Sequence, residues 1–259
     1  MCYASAAMRW VRYRSDGRTF YGVVDGESVR EGVGDPFHGW TENGHRVALA
    51  DVELLPPVTP GKIIAVGLNY RDHAAEMGKA LPNEPLLFLK PPSAVIGPGG
   101  RILCPPQSKR VEFEGELAVV IGSKCRRAGP GEARDHVLGY TCMIDVTARD
   151  LQAKDVQYTR AKGFDTFAPL GPWIETGADP DDLTIETWVN GERRQASTTR
   201  ELIFSVAALV SFISGVMTLL PADVISTGTP AGVGPLSSGD VIEVRIGGVG
   251  SLRCGVGLA

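Results

Sequence analysis

Val111-Glu112-Phe113-Glu114-Gly115-Glu116-Leu117-Ala118-Val119-Val120-Ile121 is the most informative stretch of this 259-residue chain. Side chains of an extended strand point to alternate faces, so Glu112, Glu114 and Glu116 share one face and Phe113, Gly115 and Leu117 the other. The run then becomes wholly apolar at Val119-Val120-Ile121, which takes the strand into a core. Acids spaced about 7 Å apart repel one another, and something positive has to compensate. Two arrangements would serve: a solvated edge strand that leaves the glutamates in water, or a hard divalent cation held by two of them. Oxygen-only ligation suits Mg²⁺, Mn²⁺ or Ca²⁺ rather than zinc.

The rest of the composition agrees with a β-rich protein. Glycine (32) and proline (18) make up about 19% of the residues, against roughly 12% in an average chain, and both punctuate strands and turns. A balance of 26 basic against 30 acidic residues gives a formal charge of −4, so no basic surface calls for nucleic acid or anionic lipid. Cys2, Cys104, Cys125, Cys142 and Cys254 are odd in number and form no C-x-x-C pair. Neither a zinc site nor a disulfide framework is expected, and a cytoplasmic location is the simpler reading. Residues 1–13 lack the apolar core of a signal peptide, and Met8 is as good a start as Met1. Leu202–Leu220 is uncharged over 19 residues, close to the length of a membrane span. Its serines, and the strand signals that follow it, point instead to a buried core helix.

Working outward, Trp10–Tyr13, Thr19–Val24 and Ser28–Arg30 read as short strands, and Pro36–Arg46 as polar and irregular. Three prolines within Pro56–Pro60 disfavour helix and ladder pairing alike. The boundary is placed there, giving a small N-terminal β module, 1–57, and a main domain, 58–259. In the main domain Ile63–Val66, Leu86–Leu89 and Val137–Ile144 read as strands, with a helix over Asp72–Lys79 capped by Asn69 or Asp72. Thr147-Ala148-Arg149-Asp150 resembles a capping box opening another helix at Ala148. Leu183–Val189 runs into Asn190-Gly191, a strong hairpin signal, and Val241–Ile246 with Ser251–Val256 read as a closing hairpin.

Several further residues could carry chemistry. Asp145 stands where a strand stops and a helix begins, a position that suits a metal ligand, a catalytic acid or a cap. Arg149 and Gln152, three apart, share a helix face and could hold a carboxylate. His73 and Glu76 have the same spacing, so the carboxylate can orient the imidazole as a general base. Lys162 sits in a stretch without strong local structure, where it could stabilise an enolate or face solvent. Ser226–Gly234 is glycine-rich but lacks the signatures of phosphate or dinucleotide loops, and it offers N–H groups and the Thr229 hydroxyl to a carboxylate.

Five strings, in order, resemble the fumarylacetoacetate hydrolase family: Gly67-Leu68-Asn69-Tyr70 with Asp72-His73; Glu114 to Gly122; Asp145 to Gln152; Phe164-Asp165-Thr166; and Thr227-Gly228-Thr229-Pro230. The resemblance spans about Lys62 to the C-terminus, and the N-terminal module is similar to one that precedes this domain in many bacterial members. It implies a mainly β fold with some helix, a mixed β-sandwich roll assembled as a homodimer. It further implies that Glu114, Glu116 and Asp145 bind one Mg²⁺ or Mn²⁺ with Glu112 not touching the ion, and that His73 with Glu76 forms the acid/base dyad. Lys162 would meet a developing enolate, while Tyr70, Arg149, Gln152 and Thr229 would line the pocket.

The chemistry this implies is C–C bond hydrolysis of acylpyruvate-like 2-oxo acids through a metal-stabilised enolate. The same intermediate also serves isomerisation or decarboxylation of dicarboxylic acids of the 2-hydroxyhepta-2,4-diene-1,7-dioate or oxaloacetate type. A non-enzymatic β protein that binds a divalent cation would share the carboxylate strand, but would have no use for His73, Glu76 and Lys162.

Overall fold

The computed structural model describes residues 7–259, so Cys2 and Met1 lie outside the described residues. The architecture is mainly β with few helices, as expected. One large sheet orders its strands as Gly39–Ala48, Ser28–Asp35, Arg18–Asp25, Arg9–Ser15, Ala168–Glu175, Val137–Ile144, Gly115–Ile121, Val224–Ser226, Ile63–Gly67 and Leu86–Lys90. A five-stranded sheet, Glu192–Thr198, Thr184–Val189, Val241–Ile246, Gly250–Leu258 and Arg101–Cys104, packs over its centre. Leu117, Val119, Cys142 and Ile144 from the first sheet meet Ile185, Val244 and Leu252 from the second in one core. This is sheet-on-sheet packing with inward side chains alternating along each strand.

The N-terminal strands extend the large sheet. Arg9 and Trp10 pair with Glu175 and Ile174, which makes the strand Arg9–Ser15 the link between the N-terminal strands and the rest. Residues 39–48, within a segment read as irregular, form a strand paired with Ser28–Asp35. That strand is the sheet's outer edge and is mostly exposed, so no buried face imposes alternation on its sequence. Its anchor is Trp40, packed edge-on to Trp10 at 5.2 Å and donating its indole N–H to the Tyr21 carbonyl at 3.2 Å.

Both strong hairpin signals form as expected. Asn190 and Gly191 adopt φ of 53° and 82°, the doubly positive turn that suits a tight hairpin, between Thr184–Val189 and Glu192–Thr198. Of the uncharged stretch Leu202–Leu220, only Val206–Val216 is helical. Ser205 caps it by accepting from the Ala208 N–H, and Val206, Leu209, Val210 and Ile213 bury one face. Among the described residues no helix is long and apolar enough to cross a membrane.

Three local expectations differ. The strand read as continuous over Val111–Ile121 is broken at Glu114: Val111–Phe113 joins a small sheet with Thr147–Ala148 and Gly234–Pro235, and Gly115–Ile121 joins the large one. The capping box does not form. Thr147 donates instead to the Glu114 carboxylate (3.3 Å) and the Asp145 carbonyl (3.2 Å), while Asp150 accepts from the Ser108 hydroxyl and the Lys109 N–H. The first helix is shorter than expected, Arg71–Glu76. Asn69 does not cap it, because its side chain is spent on the Phe204 and Thr227 carbonyls and the Phe204 N–H. Gly78, at φ 61°, closes the helix: its N–H reaches the Ala75 carbonyl and the Lys79 N–H the Ala74 carbonyl, a Schellman ending.

Candidate active site

The break at Glu114 brings the acids together. Gly115 lies opposite Ile144 in the ladder, so Asp145, the next residue, falls beside Glu114 and donates its N–H to the Glu114 carbonyl at 2.8 Å. Oxygens of Glu114, Glu116 and Asp145 lie within 4.8 Å of one another, and all three residues are buried. Close approach at this point depends on glycine: a Cβ on Gly115 would stand 2.0 Å from the Thr187 hydroxyl.

The three carboxylates are compensated unequally. Lys162 donates to Glu114 (2.8 Å) and Asp145 (2.6 Å), and Lys90 to Asp145 (2.5 Å) and the Val146 carbonyl. Arg149 donates to Glu114, Glu112 and Gln152, each at 2.6 Å, and Arg110 closes the far side of Glu112. Glu112 is therefore a clamp on Arg149. Among the described residues Glu116 has no cationic partner; its Oε2 accepts from the Ser226 hydroxyl at 2.5 Å and the Gly228 N–H at 2.8 Å.

The protonation equilibria follow this imbalance. Burial, reinforced by Asp145 and Glu114, pushes Glu116 up to about 8. Burial would also raise Glu114, but Lys162 and Arg149 outweigh it and hold it down, to about 2. Burial lowers Lys90 despite Asp145, while Lys162 is raised because Asp145 and Glu114 overcome its burial. A divalent cation fits this donor set: among the described residues the cluster is three buried carboxylates with no nitrogen or sulfur ligand, and the crowding that keeps a proton on Glu116 is what a bound cation would relieve.

A cavity of about 310 Å³ opens onto this cluster, lined by Glu114, Glu116, Lys162, Arg149, Gln152, Thr229 and His73, with Lys79, Tyr158 and apolar residues completing the wall. His73 meets Glu76 through Nδ1 at 2.9 Å, and the other oxygen of Glu76 accepts the Gly232 N–H at 3.1 Å, which ties the helix to the glycine-rich loop. Lys162 ends a short helix, Thr159–Lys162, where no regular structure was expected. Thr229 donates to the Gly115 carbonyl and accepts from Gln195, so its hydroxyl also braces the acid strand.

Tyr70, read as a pocket residue, does not reach the lining. Its phenol is fully buried, among the described residues its hydroxyl has no partner, and burial beside Glu116 and Asp72 raises its pKa. Arg149 and Gln152 face the cavity as a bonded pair, with the guanidinium already spent on carboxylates. Lys90 and Ser226 escaped the sequence reading. Lys90 follows an apolar run, and nothing in its spacing distinguishes a buried lysine from an exposed one at a strand end.

The comparisons with known proteins point the same way. Residues 62–257 match the family described as fumarylacetoacetate (FAA) hydrolase, C-terminal, and residues 8–57 one described as Rv2993c-like, N-terminal. A protein of Archaeoglobus fulgidus is 54% identical over 93% of this chain and 93% of its own. The structure of 2-hydroxyhepta-2,4-diene-1,7-dioate isomerase from Mycobacterium marinum is 44% identical with a TM-score of 0.91, covering 97% of this chain and 98% of that one. Maleylpyruvate hydrolase from Sphingobium sp. SYK-6, in complex with manganese(II) and pyruvate, is 34% identical with a TM-score of 0.82, covering 97% of this chain and all of that one. With its match running over about three quarters of its length, this chain belongs to the fumarylacetoacetate hydrolase family, whose members are metal-dependent hydrolases and isomerases.

Proposed function

We propose that this enzyme hydrolyses a C–C bond in acylpyruvate-like 2-oxo acids with the help of Mg²⁺ or Mn²⁺. The observation that carries the reading is that His73, held by Glu76, lines the same cavity as Glu114, Glu116 and Lys162. A metal-binding protein without catalysis would have no need of an oriented base over its carboxylates.

Glu114, Glu116 and Asp145 would hold the ion. When bound, it supplies Lewis-acid polarisation to the oxygens of a 2-oxo carboxylate. With Nδ1 of His73 engaged by Glu76, Nε2 is the nitrogen left to take a proton from water. That water adds to the distal carbonyl carbon. The C–C bond then breaks, its electron pair passes toward the 2-oxo group, and Lys162, kept protonated by Glu114 and Asp145, donates to the charge that develops there. The protonated dyad returns its proton to the departing carbon. Val66, Leu68 and Phe88 give the cavity an apolar wall beside these groups.

The likeness to the M. marinum isomerase supports a second reading, in which the dyad relocates a proton and no water adds. Acylpyruvates, oxaloacetate and 2-hydroxyhepta-2,4-diene-1,7-dioate assayed in H₂¹⁸O, with and without EDTA, separate the two. Hydrolysis places ¹⁸O in the released acid; turnover without incorporation favours isomerisation or decarboxylation. No metal-dependent turnover of any member refutes both.

A further inference from the structure

His73 reaches the cavity from a helix of only 6 residues, Arg71–Glu76, too short to hold itself in place. The turn that leads into it is strained: Leu68, in the cavity wall, has a φ of 47°, which a branched side chain seldom adopts. Asn69, only 1% exposed, fixes that turn. Its amide nitrogen donates to the Thr227 carbonyl at 2.8 Å and the Phe204 carbonyl at 3.1 Å, and its Oδ1 accepts the Phe204 N–H at 2.8 Å. The carbonyls can only accept and the N–H only donate, so the orientation of this amide is unambiguous.

The far side of this contact lies at the acids. The Thr227 carbonyl and the Gly228 N–H belong to one peptide group, and in a trans peptide they point in opposite directions. Asn69 holds the carbonyl, and the N–H donates to Glu116 Oε2 at 2.8 Å. A planar unit is thus gripped at both edges, and the donor on one side polarises it and strengthens the bond on the other. Gly228 permits the approach: its φ is 97°, and a Cβ there would stand 2.8 Å from the Asn69 Cβ. Of the carboxylate oxygens of Glu114, Glu116 and Asp145, Glu116 Oε1 alone accepts no hydrogen bond among the described residues. With Oε2 pinned by Ser226 and Gly228, Oε1 is the oxygen left for a cation.

We propose that Asn69 is a positioning residue that sets base and metal ligand in register: one amide fixes both the turn before His73 and the peptide that aims Glu116. The His73 half rests on the proposed function; the Glu116 half holds whichever reaction the enzyme runs. Asn69 acts through the Gly228 N–H, so its loss should weaken metal binding about 10-fold, the low end of the range for outer partners of a ligand. Release of the strained turn also moves His73, and a shift of about 1 Å can cost around 100-fold in rate.

Calorimetric Mn²⁺ titration of the full chain compares wild type, Asn69→Ala and Arg71→Ala. Arg71 anchors the same helix through the Arg200 and Leu202 carbonyls, away from the Thr227–Gly228 peptide. Asn69→Ala should bind Mn²⁺ about 10-fold more weakly, and Arg71→Ala as wild type does. A lowered melting temperature with unchanged Mn²⁺ affinity in Asn69→Ala, or an equal loss of affinity in Arg71→Ala, overturns the assignment. At saturating Mn²⁺, kcat of Asn69→Ala should stay about 10-fold low; full recovery overturns the link to His73. In wild type, where no variant has to fold, Mg²⁺ should shift the ¹H–¹⁵N signals of the Gly228 amide and the Asn69 side-chain amide together, and an unmoved Asn69 signal refutes the relay. No turnover of any 2-oxo acid by wild type refutes the hydrolase reading and leaves the Mn²⁺ result standing. Turnover by wild type, with Mn²⁺ affinity and kcat unaltered in Asn69→Ala, does the reverse.

Discussion

Replacing Gly115 by alanine tests how the acid cluster is built. The new methyl group would stand 2.0 Å from the Thr187 hydroxyl and 3.1 Å from both the Gln195 side-chain amide oxygen and a Val244 methyl. Ordinary contact begins near 3.4 Å, so something must yield by more than an ångström. The strand resists moving away: the Gly115 N–H is bound to Gln195 at 3.0 Å and its carbonyl to Thr229 at 2.9 Å. Overpacking of this kind costs about 1–3 kcal/mol. Glu114 and Glu116 flank the residue, and a misplacement of about 1 Å can cost around 100-fold in rate.

The Thr187 hydroxyl is buried without a partner among the described residues, so removing it sacrifices no hydrogen bond seen there. Thr187→Ala should therefore restore at least about 1 kcal/mol of the loss in the Gly115→Ala background. Thr187→Val, which puts a methyl where the hydroxyl was, should restore nothing. Urea denaturation of the single and double variants measures the coupling, and Mn²⁺ titration reports whether ligand geometry returns with it. A Gly115→Ala cost below about 0.5 kcal/mol, or a coupling of that size or less, refutes the reasoning.

Glu116→Gln should weaken Mn²⁺ binding by more than the roughly 10- to 100-fold that outer partners of a ligand are worth, and leave the metal-free melting temperature unchanged or raised, because it relieves crowded buried acids. Undiminished Mn²⁺ affinity by calorimetry removes Glu116 from the ligand set. Lys90→Met strips Asp145 of a buried partner and should cost about 3–5 kcal/mol, whereas Arg14→Ala, which breaks an exposed pair with Glu53, should cost less than about 1 kcal/mol; equal losses in urea melts contradict the distinction. Gly78→Ala has open space around its Cβ, so only the positive φ opposes it, and a loss of about 1 kcal/mol that asparagine partly recovers is the expected result. A neutral Gly78→Ala in thermal melts argues against the Schellman ending.

The parts legible in the sequence were those in which a local pattern coincides with the tertiary constraint. The Asn190-Gly191 and Gly247-Gly248 hairpins are short-range devices, and they form where the pattern places them. The resemblance nominated Glu114, Glu116 and Asp145, and the fold brings their oxygens together. Alternation alone could not foresee the break at Glu114, because Gly115 exists to admit Thr187 from the other sheet. Nor could it find Lys90 or Ser226, whose partners lie 55 and 110 residues away. The edge strand over 39–48 was missed for the opposite reason: exposed on nearly every side chain, it carries no buried face to imprint a period.

The pairing of Arg9 and Trp10 with the strand Ala168–Glu175 makes the N-terminal strands part of the sheet that holds the acids, since that strand neighbours Val137–Ile144, which in turn neighbours Gly115–Ile121. Such a ladder has no hinge at the proline-rich connection. The two sequence modules should melt and exchange amide hydrogens as one cooperative body. Excising the N-terminal strands would uncover an unpaired sheet border beside the buried Trp10 site, an invitation to aggregation rather than a smaller working enzyme. In this geometry the two matched segments, 8–57 and 62–257, share one continuous sheet.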